Sequence, residues 1–327
     1  SGACTEQPFE ETVHPDGRFK EKTGIAGYPV KALAGLLFAY LGPQPAPELP
    51  LWEPLTWEHA VRDICLTNLP CNWLQCQENS LDPVHVEWMH TYFGRYIEQG
   101  EGFKSGKGLL TLPTHQKIGF DVFEYGIIKR RVLSGFTEED DDWAHGHPVM
   151  FPNILMVGSE AMVTFQFRVP VDDENTYHVS LYSWRAAPGA ETPKQESVPY
   201  RNVRLYNDDG SLVTDYLFNQ DYMGWVTQGP IAKRDREKLG ESDKGIILFR
   251  RQLADQLEIL ADGGEPMNVF HNPGEVLKAP IEGVKFGLKR ALDYRPGEAG
   301  FSRDGELITR TLQTWQTTAD AGRGANR

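Results

Sequence analysis

Two histidines five residues apart, His85 and His90, follow an Asp82-Pro83 turn. They lie in the segment Asn72-Trp73-Leu74-Gln75-Cys76-Gln77-Glu78-Asn79-Ser80-Leu81-Asp82-Pro83-Val84-His85-Val86-Glu87-Trp88-Met89-His90. Imidazole is the commonest protein ligand for a divalent transition metal, and it binds in the neutral form that prevails near pH 7. Pro83 suits the first turn of a helix and Asp82 suits its N-cap. Helical geometry raises an objection, because residues five apart on an ideal α-helix diverge by about 140°. Either side chains that reach back or a distortion of the helix there would remove it, and a local π-type bulge, of the kind found at functional sites, would do so. The zincin pattern HExxH is absent. The plain alternative is a capped helix carrying two ordinary polar histidines. Against it, DPxHxxxxH preceded by ENxx is expected by chance in well under about one chain in a thousand.

Other candidates carry less. His145-Gly146-His147 sits on a possible strand, where positions i and i+2 share a face. No carboxylate is evidently paired with it, so a wall of the pocket or a structural role is expected, beside Pro148–Asn153. His14, His59, His115, His178 and His271 have no partner at ligand spacing. Cys4, Cys65, Cys71 and Cys76 form no CxxC pair, which disfavours a thiolate zinc site; they read as small buried residues in a reduced compartment. Trp88, Tyr92, Phe93, Tyr222 and Trp225 flank the candidate region and read as core, with one or two facing a pocket.

The elements that would position these groups are partly visible. Ile25–Val30 and Leu36–Leu41 read as short strands, and Pro43–Pro54 as an extended proline-rich connector. Asn68–Tyr92 is helix-like. From about Gly106 the pattern turns to β, with candidates at Ile118–Val122, Tyr125–Leu133, Met162–Val171 and Tyr177–Trp184; Thr164–Val169 alternates polar and apolar residues. The acidic run Glu138–Asp142 reads as a solvated loop. Ser242–Leu260 has apolar residues at helical spacing with Ser242 as N-cap, and its Arg250 and Arg251 read as surface residues or carboxylate partners. The last dozen residues read as a frayed tail. Strands flanked by helices imply an α+β domain, an antiparallel sheet with a long helix packed across it. The chain has 327 residues, 40% of them apolar and 24% charged, with a net charge of −13. That charge argues against a nucleic-acid partner. No run of about 18 apolar residues suggests a membrane span, and the N-terminus lacks the features of a signal peptide. Cytoplasmic residence is the expectation.

The string NW…ENxxDPxHxxxxH resembles the mononuclear-iron motif of the α subunits of Rieske ring-hydroxylating oxygenases, in the phthalate-dioxygenase and O-demethylase branch. The resemblance implies a helix-grip (START-like) catalytic domain with Fe(II) on His85 and His90. It makes Asp82 the electron-transfer bridge to a cluster histidine across a subunit boundary, and Asn79 a neighbour of the iron. The third ligand in that family is a downstream Asp. Asp221, 131 residues after His90, fills that place, with Asp215 the nearest competitor. An aromatic substrate, O2, a ferredoxin or flavin reductase and a homotrimer are further implications.

Gly2-Ala3-Cys4-Thr5-Glu6-Gln7-Pro8 is similar to the GxCxxQP stretch that follows the cluster ligands of a Rieske domain, and the chain begins as though inside a domain. The CxH and CxxH ligand motifs of a [2Fe–2S] centre are not among its residues. The expected organisation is a remnant of a β-rich Rieske domain at 1–43, a linker at 44–54, the iron domain at 55–315 and a flexible tail at 316–327. Two rival classes stand beside this reading. One is a helix-grip binding protein without catalysis. The other is a zinc hydrolase, for which Glu87 is the conceivable general base.

Overall fold

The chain builds one large sheet and wraps both of its faces. The computed structural model describes residues 2–94, 96, 114–214, 217–281 and 302–324, with side-chain surroundings as far as Gln316. In chain order the elements are α1 (Pro8–Val13), β1 (Val30–Leu33), β2 (Leu36–Ala39), β3 (Leu51–Trp52), β4 (Val61–Leu69), α2 (Trp73–Asn79) and a π-helix (Val86–Phe93). Then come β5 (His115–Phe123), β6 (Gly126–Leu133), α3 (Asp141–Ala144), β7 (His147–Met150), β8 (Ile154–Gly158), β9 (Met162–Pro170), β10 (Thr176–Trp184) and β11 (Tyr200–Asn202). Helices α4 (Leu217–Val226) and α5 (Lys244–Ala261), strand β12 (Val276–Leu277) and helix α6 (Gly305–Gly324) complete it. None of the described helices is long and apolar enough to cross a membrane.

Eight strands form the sheet in the order β11-β4-β10-β9-β8-β7-β6-β5, antiparallel throughout except that β11 runs parallel to β4. The four strand candidates read from the sequence are β5, β6, β9 and β10. The expected α+β arrangement is therefore present, with two long helices, α5 and α6, where one was anticipated.

Side-chain alternation assigns the faces. Ile64, Val163, Phe165, Val179 and Leu181 point to one face, where Trp52, Leu55, Leu33 and Leu36 cover them. The end of the proline-rich stretch is thus seated on the sheet, and Leu51–Trp52 pairs with β12. The opposite face carries Cys65, Leu69, Met162, Tyr182 and Trp184 against Phe218, Tyr222 and Trp225 of α4 and Ile308, Leu312 and Trp315 of α6. Further along, Ile127, Val149 and Leu155 meet Leu81 and Phe249 of α5.

Helix α5 comes very close to β5. A Cβ on Gly245 would lie 2.4 Å from Cε1 of Phe120 and 3.0 Å from the Leu81 carbonyl oxygen. Gly245→Ala should therefore lower stability by about 1–3 kcal/mol through overpacking, read by denaturant melting. Unchanged melting would mean that Phe120 swings aside without cost.

Five local expectations are corrected. The strand expected at Ile25–Val30 begins only at Val30, and Ile25 is exposed. The hairpin turns at Ala34 and Gly35, both at positive φ, and pairing spreads symmetrically from there to Val30 and Ala39. Helix α5 is capped at Asp243 instead of Ser242, because Glu241–Asp243 forms a preceding 3₁₀ turn in which Asp243 accepts from the Gly240 N–H at 2.7 Å. The acidic run is no free loop: it enters α3, and Asp142 is buried against Arg131 at 3.2 Å. His145 and His147 do have carboxylates, Asp141 at 3.2 Å and Asp142 at 3.5 Å, supplied by that same helix. Helix α6 also runs to Gly324, into the stretch expected to fray.

Candidate metal centre

The segment between α2 and the π-helix sets the first two candidate ligands. Asn72 caps α2 by accepting from Leu74 N at 3.0 Å, and the helix ends at Asn79. Asp82 then accepts from Val84 N at 2.8 Å in a turn two residues long, and the N-cap position expected for Asp82 falls instead on His85, because the chain turns once more before the helix begins. From Val86 to Phe93 that helix is π-type. Its i→i+5 bonding stacks residues five apart, where an α-helix would splay them. His85 and His90 thereby face one another, with ring centroids 5.2 Å apart.

Helix α4 brings the carboxylate. Asp221 Oδ1 lies 3.1 Å from His90 Nε2 and 3.6 Å from His85 Nε2. One donor atom from each of the three residues falls within 4.8 Å of the others, and no other such set exists among the described residues. His90 and Asp221 are buried and His85 nearly so. Asp215, the competing carboxylate, lies outside the described residues.

Their partners fix the tautomers. His85 Nδ1 donates to the Asp82 backbone carbonyl, and His90 Nδ1 donates to Gln220 Oε1 at 2.9 Å. Each Nε2 is then left with a lone pair aimed at the Asp221 carboxylate. Three converging acceptors demand a cation or a proton. Burial, followed by the charges of His90 and Lys129, drives the His85 pKa down to about 3 in spite of Asp221. Burial also pulls on His90, but the Asp221 charge and its hydrogen bonds to Asp221 and Gln220 outweigh it and hold His90 above the ordinary value. Burial pushes Asp221 up; His90, His85 and Arg168 overcome this and keep it below the usual carboxylate range. A divalent ion would replace the shared proton, so the donor set fits a 2-His-1-carboxylate site.

The remaining candidates fall into place around it. The Asp82 carboxylate, pushed up by burial, serves Val84 N, and the backbone carbonyl of Asp82 reaches His85. Asn79 is half-buried; its carbonyl accepts from Asp82 N at 3.1 Å, and its side chain makes no hydrogen bond among the described residues. Glu87 is turned to His115, accepting from its backbone N and from Nδ1 at 2.9 Å each, which removes it from a base's place. Tyr222 and Trp225 are buried beside Asp221, as expected. Trp88 and Tyr92 are exposed, their rings in tilted contact with centroids 4.9 Å apart on the outer side of the π-helix, and so are not core. Arg250 is a carboxylate partner, 2.7 Å from both Glu78 and Glu237. Cys65, Cys71 and Cys76 are buried free thiols, with 3.6 Å between the last two sulfurs.

Sequence reasoning missed Gln220, whose only signal was its place beside Asp221. It also missed the polar lining of the sheet. Arg168, His178, Ser180 and Lys129 are all buried on the helix-covered face, and strand alternation does not tell such a face from one in water.

The LigXa C-terminal-domain-like family model matches residues 199–299, the part that carries Asp221. The 5,5'-dehydrodivanillate O-demethylase oxygenase subunit of Sphingobium sp. (strain NBRC 103272 / SYK-6) is 42% identical over 272 residues, covering 83% of this chain and 62% of that protein. The phthalate 4,5-dioxygenase oxygenase subunit of Pseudomonas putida is 26% identical, covering 74% and 62%. The chain thus spans about three fifths of the length of these relatives. Among solved structures, Pseudomonas putida CBB5 NdmA superposes with a TM-score of 0.52 at 15% identity, over 80% of this chain and 68% of that one, a likeness of fold.

Proposed function

The chain belongs to the Rieske-type non-haem iron oxygenase subunits, and on that premise we propose that it is the catalytic part of a cytoplasmic aromatic oxygenase. The observation that carries this reading is the convergence of His85 Nε2, His90 Nε2 and Asp221 Oδ1 as three acceptors on one point. These residues would hold a ferrous ion, which would supply dioxygen activation beside a bound substrate. The chain's own residues do the rest. The Asp82 carbonyl and Gln220 fix the imidazole tautomers, and the sheet and α4 keep bulk water from the centre.

The proposed outcome is hydroxylation of an aromatic ring or of a methoxy carbon, the latter releasing formaldehyde and leaving a phenol. The 42% likeness to an O-demethylase subunit favours the methoxy carbon; the phthalate 4,5-dioxygenase subunit is at 26%. The cysteines and histidines present include no CxH or CxxH pair of the kind that holds a [2Fe–2S] cluster. A cluster domain of which residues 1–43 are the tail, a ferredoxin or flavin reductase, a homotrimer, and Asp82 as the bridge between subunits are proposed from family membership.

The test is metal analysis of the full-length protein, followed by oxygen uptake and formaldehyde release with methoxylated aromatic acids. About one mononuclear iron per chain beyond any cluster iron, with substrate-dependent formaldehyde, is the expected result. Zinc in its place with hydrolytic activity would overturn the reading, as would a metal-free protein that merely binds the compounds. Gln220→Ala should weaken Fe(II) binding about 10- to 100-fold, because His90 loses the partner that fixes its tautomer; a chelator-competition titration measures it.

A further inference from the structure

The helix-covered face of the sheet holds a group of buried donors whose hydrogens meet no acceptor. Arg168 on β9 is 1% exposed, and no carboxylate lies within ion-pair distance of it among the described residues. Its two Nη atoms donate to the Gln166 carbonyl at 3.3 Å and to the Gln166 side-chain oxygen at 2.9 Å, both neutral acceptors. Its Nε is left without one. Burial lowers the Arg168 pKa only to about 10, so the guanidinium is charged at neutral pH. A buried charge with none but neutral partners is costly and calls for a counter-ion.

Strand register sets further donors beside it. His178 of β10 is the direct partner of Arg168 on one side and of Thr67 of β4 on the other, and side chains so paired share a face. Thr67 Oγ1 donates to the Tyr222 hydroxyl at 3.3 Å, which leaves the phenol hydrogen for His178 Nδ1 at 3.0 Å. The imidazole is neutral, because burial and then the charge of Arg168 hold its pKa well below the ordinary value. Its one hydrogen is therefore on Nε2, which has no partner and lies on the side of the ring away from Tyr222. Ser180, two residues along the same face, stands opposite Gln166, and its hydroxyl is unpartnered. Trp225 of α4 closes over the group. Its ring centroid is 5.4 Å from that of His178 and 5.6 Å from Arg168 Cζ, and its Nε1 has no acceptor.

Arg168 Nε, His178 Nε2, Ser180 Oγ and Trp225 Nε1 thus form one buried patch of donors around a positive charge. A water molecule has two lone pairs and no charge, so it serves two of these donors and leaves the guanidinium uncompensated. A halide accepts from all of them through charge-assisted bonds and supplies the missing charge. We propose that Arg168, His178, Ser180 and Trp225 enclose a small inorganic anion, a halide taken up from solution, which neutralises the guanidinium and ties α4 to β9 and β10. This site goes beyond the oxygenase reading and does not depend on it.

The experiment is thermal melting of the full-length protein in sodium chloride and in sodium bromide, at constant ionic strength with gluconate as the balancing anion. The melting temperature should rise by about 2–3 °C for each tenfold increase in halide above its Kd. Ser180→Ala should weaken the halide about tenfold, the loss of one hydrogen bond to a charged group, and Arg168→Met should remove the dependence altogether. Broadening of the chloride NMR line that bromide reverses reads the same site in the wild-type protein, whether or not Arg168→Met folds. Melting indifferent to halide, with no reversible broadening, would overturn the proposal, as would a halide dependence unchanged by both substitutions. A rise with 3-methoxybenzoate and none with chloride would put an organic carboxylate in the halide's place and overturn it as well.

Discussion

Asp221→Ala is expected to lose iron and turnover together, with Fe(II) affinity falling by more than about 100-fold. Loss of a residue that merely supports a ligand commonly costs 10- to 100-fold, and here the proposed third ligand itself is removed. The electrostatics sharpen the expectation. Asp221 is the carboxylate that both Nε2 atoms face, and Lys129 and Arg168 are within reach of its charge. Without it a dication would approach two neutral imidazoles and two buried cations. Iron content by elemental analysis and oxygen uptake should fall in parallel while the fold survives, read by circular dichroism. Asp215→Ala is the control and should keep its iron. Iron retained at one per chain in Asp221→Ala and lost in Asp215→Ala would transfer the ligand role to Asp215.

The second large effect concerns stability. Arg250→Ala should cost about 2–3 kcal/mol. Arg250 joins α5 to α2, bonding Glu78 at 2.7 Å and Glu237 at 2.7 and 3.1 Å. Glu78 is buried, and removing one partner of a buried carboxylate leaves its desolvation uncompensated, an effect commonly of about 3–5 kcal/mol. The figure is reduced here because Arg250 is a quarter exposed and Arg234 still holds Glu78 at 3.2 Å. Chemical denaturation measures the loss. Arg251→Ala, at an exposed position on the same helix, should stay within about 0.5 kcal/mol. Equal losses from the two substitutions would show that charge on α5 matters and the Glu78 link does not.

Both predictions mix what could be read along the chain with what could not. The five-residue spacing of His85 and His90 conflicted with an ideal α-helix and offered a π-type distortion as one of two ways out, and the helix is π from Val86 to Phe93. Local information sufficed there because ligand spacing and helix pitch are both properties of consecutive residues. The long strands and the body of α5 were legible for the same reason: their periodicity is local. Asp221 came from family likeness and a count of residues. No local pattern sets Asp221 apart from Asp215, since what distinguishes a ligand is the packing of α4 against α2 and the π-helix.

What the sequence by itself determined is the chemistry on offer: two imidazoles five residues apart after an Asp-Pro turn, strands at β5, β6, β9 and β10, and no CxH or CxxH pair. Only the tertiary structure decided which polar groups were spent and which were left over. It bound Glu87 to His115, gave His145 and His147 the carboxylates that the acidic run seemed to offer to water, and left Lys129 buried without a partner. The physical reason is that alternation along a strand says only that two faces differ. Whether the polar face meets solvent or a layer of helices depends on residues from Leu81 to Trp315 arriving over it, and it is desolvation by those distant residues that sets the state of the buried charges.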